Sequence, residues 1–360
     1  MVMLAEQYEY VIGGDPDRDT IDLAVVDAVT GAVRGHRADR AEGAGYRRLL
    51  EWAVGQAPGR RVWALEGTGS FAAGLATMLA EAGEDVVEVN AGKRQRGAKN
   101  DRIDAVRAAR TALSRDHQAA PRARGLREAL RQILVTRQGV LVSRTKAINE
   151  MKSLIVVSPE YLRASLRGLP LPKQLQRIRQ LTSSDQATVE HHITVLTLQS
   201  IAARVEFLLA QTAQLEPQLL TLVNNHPAGP ALLAEPGVGP VVAAQLLVSW
   251  SHRGRVRSEA AFASLAGVAP IEASSGQRTR HRLNRTGDRA LNRALHTVAI
   301  TRLRCHPESI AYEAKRSAQG KTHRDVRRSL KRSLARRLYR RMQAATRPTT
   351  KRSVPSSAAA

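Results

Sequence analysis

The chain has 360 residues, 43% of them hydrophobic, and its 56 Lys and Arg outnumber 32 Asp and Glu to give a formal charge of +24. That length accommodates two or three domains with filled cores, and the surplus of cations implies a polyanionic partner. No run of about 18 apolar residues and no basic-then-apolar start in Met1–Tyr10 is present, which favours nucleic acid over membrane and a cytoplasmic, nucleoid-associated protein. The single cysteine, Cys305, excludes disulfide frameworks and cysteine zinc sites and is expected as a buried, inert thiol.

Strands and helices alternate in the first part. Tyr10–Asp15, Ile21–Asp27 and Ala32–Arg37 read as short strands joined by Asp, Gly and Thr turns, an antiparallel meander by their spacing. A helix over Gly45–Val54, a strand over Arg61–Glu66, a helix over Phe71–Ala82, a strand over Asp85–Val89 and a helix from near Asn100 follow. The order β-β-β-α-β-α-β-α predicts an α/β domain with a mixed five-stranded sheet, the order of the ribonuclease H fold.

Apolar residues then recur at helical spacing from Leu126 to Val157 and again from Gln186 to Val223, on either side of a connector broken by Pro159, Pro170 and Pro172. Two long helices with one apolar stripe each predict a helical hairpin or coiled-coil arm, with a plain helical bundle as the alternative. Pro236-Gly237-Val238-Gly239-Pro240, ahead of Val241–Leu247, has the pattern of a helix-hairpin-helix turn, in which Gly237 and Gly239 let backbone amides approach a phosphate; an ordinary glycine-rich helix start has the same letters. Lys315–Arg352 holds 15 Lys and Arg and one acid, Asp325, too lopsided for local salt bridges and expected to lie on nucleic acid. The last residues, 346–360, read as a disordered tail, leaving domains at 8–120, 121–228 and 229–345.

Against this basic background four acids stand at element ends. Asp15 closes the first strand, Glu66 the fourth, and Asp101 and Asp104 lie three apart at a helix start, hence on one face, with Lys99 just ahead to reach a phosphate. Four carboxylates make an oxygen-rich cage suited to Mg²⁺ or Mn²⁺, as paired metal ions in phosphoryl transfer require. Each acid also has a plain reading: Asp15 as a turn residue beside Asp17 and Asp19, Asp101 and Asp104 as partners of the helix dipole. Downstream, Ala273-Ser274-Ser275-Gly276 precedes Arg278, Arg280, His281, Arg282 and Arg285, which can present a hydroxyl and position phosphates, though Ser-Ser-Gly is equally a common surface turn. His281 is read as a phosphate contact and His191-His192 as surface.

These motifs, Gly14-Asp15, Leu65-Glu66-Gly67-Thr68-Gly69-Ser70, Val86–Asn90, Lys99–Ala105, Pro236–Pro240 and Ala266–Gly276 with Arg282-Leu283-Asn284 and Gly287–Asn292, resemble those of the DEDD-type insertion-sequence transposases, the bridge-RNA-guided recombinases, over about residues 8–345. The resemblance implies a RuvC-like domain whose acidic tetrad is Asp15, Glu66, Asp101 and Asp104, and a mainly helical transposase domain with Ser275 as nucleophile and Ser274 as its fallback. It also implies donor and target DNA, a structured bridge RNA, and a dimeric to tetrameric assembly with composite sites. One departure is local: members commonly follow the first Asp with a small or β-branched residue and His, where this chain has Pro16-Asp17. A RuvC-type hydrolytic nuclease and a non-catalytic nucleic-acid scaffold are the alternative functions.

Overall fold

In a computed structural model describing residues 3–89, 101–182, 188–273, 281–282, 284 and 286–347, the chain divides into two compact units, one of residues 1–123 with 251–257, the other of 124–250 with 258–360. The first comprises α1 (Leu4–Gln7), β1 (Tyr10–Pro16), β2 (Thr20–Asp27), β3 (Val33–Arg40), α2 (Gly43–Gln56), β4 (Arg61–Glu66), α3 (Ala73–Glu81), β5 (Asp85–Val89) and α4 (Asp101–Leu113). The five strands form one sheet in the order β3-β2-β1-β4-β5, with β1, β2 and β3 antiparallel in sequence and β1, β4 and β5 parallel. This mixed sheet is compatible with the expected ribonuclease H-like domain.

The burial of each strand explains its composition. In β4, Trp63 and Leu65 pack with Ile12, Leu49 and Leu75 on one face, while Val62 and Ala64 pack with Val11, Ala108 and Ala109 on the other. A strand covered on both faces reads as a continuous apolar run, as Val62–Leu65 does. The edge strand β3 alternates between half-buried and exposed residues, and its polar end, His36–Arg40, continues the ladder to the pair Thr20↔Arg40, beyond the Arg37 limit that apolar patterning suggests. Glu88 on β5 is buried and accepts from Thr68 Oγ1 at 2.5 Å; Arg255 joins it at 3.0 Å, which ties 251–257 into this unit across a long stretch of sequence.

The second unit is helical: α5 (Leu126–Val157), α6 (Glu160–Leu166), α7 (Leu171–Arg179), α8 (Val189–Asn225), α9 (Gly229–Leu233), α10 (Pro240–Trp250), α11 (Glu259–Leu265), the short strands β6 (Ile271–Glu272) and β7 (His281–Arg282), α12 (Arg289–Cys305), α13 (Pro307–Ala318) and α14 (His323–Ala345). Ion pairs Arg137–Glu216 (3.0 Å) and Arg204–Glu150 set α5 and α8 antiparallel, and Ala147, Met151 and Ile155 meet Leu198, Ala202 and Val205 between them. Three expectations change here. An 18-residue window of α8 holds no more than two charged residues and is long and apolar enough by length and composition to cross a membrane; its buried stripe packs against α5. His191 is buried rather than a surface residue, packed beside the Tyr161 ring at 5.3 Å between centroids. Cys305 is exposed, because it ends α12 beyond Arg302, the last buried residue of the stripe that faces the core. Of the expected tail, 348–360 lies outside the described residues.

Candidate active site

Strand register brings two of the carboxylates, Asp15 and Glu66, to one level. Gly14 pairs with Leu65 in the parallel β1–β4 ladder, so the next residues, Asp15 and Glu66, end neighbouring strands at the same level. Side chains alternate along a strand, and Val11, Val62 and Ala64 face α4; Asp15 and Glu66, at even spacing from them, share that face. The helix comes close because position 13 is glycine: a Cβ there would lie 2.0 Å from the Ala105 carbonyl oxygen and 2.7 Å from the Ala109 nitrogen. Asp104, adjacent to Ala105, is 8% exposed, and its Oδ1 accepts from Arg107 at 2.8 Å. Asp101 begins α4 one turn earlier; its side chain lies outside what is described.

The register adds an acid that patterning did not single out. Asp22 on β2 is the cross-strand partner of Asp15 and, as directly opposed residues do, shares its face. Its signal in the sequence was a lone acid inside an apolar strand, Ile21-Asp22-Leu23. Among the described residues no three His, Cys, Asp or Glu side chains converge as a metal-holding group. The donor set is nonetheless all carboxylate oxygen, which suits a hard divalent cation.

The glycines after Glu66 have local reasons. Gly67 takes a left-handed φ of 63°, and a Cβ at Gly69 would meet Arg122 Cδ at 2.8 Å. Arg122 therefore occupies the space next to Gly69.

In the helical unit, Gly237 adopts φ 80° and a Cβ there would sit 3.3 Å from the Val298 carbonyl oxygen on α12, while a Cβ at Gly239 meets nothing. The turn is anchored by Glu235, buried and joined by Arg302 (2.8 Å), Arg337 (2.9 Å) and Arg341 (2.8 Å). Burial pushes the Glu235 carboxyl up, but these hydrogen bonds outweigh it and hold it below the ordinary carboxylate range. Gly237 is thus required for packing on α12, and Gly239 alone of the two presents open backbone.

The strands β6 and β7 pair antiparallel, with Ile271 opposite Arg282. Ser274, Ser275, Arg278, Arg280, Arg285 and Lys99 lie outside the described residues, and Arg282 is exposed. The loop 266–270, Arg282 and the helices α12 and α14 line a cleft of about 830 Å³. His296 and Lys331, which the sequence did not mark, stand in it: burial first, then neighbouring Lys331 and Arg327, lowers the pKa of His296, and burial with Arg328 lowers that of Lys331.

Comparison with known proteins divides along the same lines. A DEDD transposase family model, described as transposase, matches residues 12–157, from β1 through the four acids to the end of α5. A second, described as transposase of the IS116/IS110/IS902 family, matches residues 230–314. The chain belongs to the DEDD insertion-sequence transposase family. The DEDD match contains Asp15, Glu66, Asp101 and Asp104; the other contains Gly237, Gly239 and Ser275. The chain is also 35% identical over 129 residues to the insertion element IS110 uncharacterized 43.6 kDa protein of Streptomyces coelicolor, a match spanning 36% of this chain and 32% of that protein.

Proposed function

We propose that this transposase cuts and rejoins DNA during movement of an insertion element, with the carboxylates of the sheet and the serine segment acting on one phosphodiester. The observation that carries the reading is the register that brings Asp15 and Glu66 to one level at the ends of β1 and β4, with α4, the helix of Asp104, packed on β1 at Gly13. Asp15, Glu66, Asp101 and Asp104 would hold Mg²⁺ or Mn²⁺, whose bound charge supplies electrostatic stabilisation to a phosphate under attack. The Ser275 hydroxyl loses its proton as its oxygen bonds to phosphorus, and the sugar oxygen whose bond to phosphorus breaks takes up a proton as it leaves. One ester replaces another, so the link can be reversed onto a new strand without ATP.

The same reading assigns the coiled-coil role to α5 and α8 in a dimer or tetramer, a phosphate contact to the Gly239 turn, and phosphate positioning to Lys99, Arg278, Arg280, Arg282 and Arg285. A structured RNA encoded beside the gene is proposed as the guide, and the nucleoid as the place of action. The test is a denaturing gel of the protein incubated with element-end DNA and Mg²⁺. A covalent adduct is expected from the wild type and not from Ser275→Ala or Asp104→Asn. Cleavage that persists in Ser275→Ala without adduct, and is lost in Asp104→Asn, would replace recombination by hydrolysis. Sequencing RNA that co-purifies with the protein, for complementarity to the flanking DNA, tests the guide.

A further inference from the structure

The basic run of α14 is uniform in sequence but divided in structure. In its second half Arg336 and Arg340 pair with Glu259, and Arg337 and Arg341 with Glu235. In its first half Arg328 meets Asp325, but Arg324, Arg327 and Arg332 are exposed and have no ion pair among the described residues. These three line the cleft of about 830 Å³. Of the acids in that cleft, Asp288 caps α12 through the amides of Ala290 and Leu291 and accepts from Ser249, and Asp325 is taken up by Thr322 and Arg328 at the start of α14. Neither is left to offset the three arginines, which stand on α14 and line the concave surface with His296, without a counter-ion among the described residues.

The floor is built rather than loose. Half-buried Lys331 donates to Asn292 Oδ1 at 2.6 Å, and Asn292 donates to the Ala266 carbonyl at 2.7 Å, which fixes α14, α12 and the 266–270 loop as one wall. That loop runs directly into β6 and onward to the serine segment. The volume falls within the range of about 300–1,000 Å³ typical of small-ligand pockets, room for a few nucleotides and far too little for a duplex.

We propose that this cleft holds the phosphodiester backbone of a single nucleic-acid strand, with Arg324, Arg327 and Arg332 as its phosphate contacts, while the arginines of the second half of α14 serve the fold. The proposal rests on the reading of the chain as a DNA-acting enzyme and adds the residues that bind the strand.

Fluorescence anisotropy with the full chain tests it, using labelled single-stranded DNA, RNA of the same sequence and the DNA duplex, titrated from about 50 to 300 mM salt. For a single strand, each phosphate that the protein no longer neutralises lowers the slope of log affinity against log salt by about 0.7. R324Q/R327Q/R332Q is expected to lower it by about two, with an unchanged melting temperature. R336Q/R340Q is expected to lower the melting temperature and leave the slope alone. R167Q/K173Q/R177Q removes the same charge from exposed positions at α6 and α7 that have no ion pair among the described residues, and is expected to change the slope by less than about 0.7. A cleft variant with the wild-type slope, an equal loss in the α6–α7 variant, or an effect confined to the duplex overturns the assignment. An effect on DNA alone or on RNA alone sustains it and names the strand. Wild-type protein that binds neither would instead refute the nucleic-acid reading, and cleavage lost in Asp104→Asn alongside an intact cleft slope would spare that reading and remove only this one.

Discussion

Replacing Gly13 by alanine should separate the halves of the acidic centre without touching an acid. The added Cβ would stand 2.0 Å from the Ala105 carbonyl oxygen and 2.7 Å from the Ala109 nitrogen, both backbone atoms of α4. Carbon–oxygen contacts settle near 3.3–3.6 Å, so the helix must retreat from β1 by at least about 1 Å. Overpacking of this kind costs about 1–3 kcal/mol, and the upper end applies because no rotamer change relieves it. Since α4 carries Asp101 and Asp104 while β1 and β4 carry Asp15 and Glu66, a shift of about 1 Å should also lower DNA cleavage by about 100-fold. Gly14→Ala is the internal control: its Cβ meets Leu65 Cδ2 at 2.6 Å and Leu23 Cδ2 at 3.1 Å, the ends of side chains that can turn away. Both substitutions gain the same small advantage from a less flexible unfolded chain, so their difference isolates the helix contact. Urea denaturation and Mg²⁺-dependent cleavage of both variants provide the readout. Equal midpoints and full cleavage in Gly13→Ala would refute the close packing of α4 on β1 as the device that sets the site.

Other outcomes follow from single contacts. Glu235→Ala leaves Arg302 buried without its carboxylate and should cost about 3–5 kcal/mol in the denaturation of the helical unit; a loss below about 1 kcal/mol would show that the turn does not depend on it. Glu259, held at about 2 by hydrogen bonds from Arg340 and Arg336 against an ordinary 4.5, and Glu235, also lowered, both have folded pKa values below their unfolded ones. Their contribution is therefore complete above about pH 4.5 and is lost as pH falls toward 2, so the melting temperature should drop as pH falls below about 4.5, less steeply in Glu259→Gln. Cys305, exposed on α12, should react stoichiometrically with a maleimide in the native protein; a thiol that labels only in denaturant would contradict the placement.

Sequence alone carried much of this protein. Apolar runs and turn residues marked all five strands of the sheet and their order, since a strand such as Val62–Leu65, buried on two faces, leaves an unbroken apolar signature. The ends of β1 and β4 were legible to within a residue, which is why Asp15 and Glu66 stood out, whereas the polar end of β3 was not. Tertiary structure decided what patterning cannot encode. Asp22 joins the acids only through its cross-strand pairing with Asp15, and Glu88 finds Arg255 only once distant segments meet. Gly237, in sequence an opening for a phosphate, proved to take a left-handed turn against α12, and Gly69 proved to make room for Arg122. The basic run of α14 shows the reason most plainly. Its charges are local and can be counted along the chain, but which arginines are neutralised depends on Glu235 and Glu259, far upstream of a run whose periodicity says nothing of its partners.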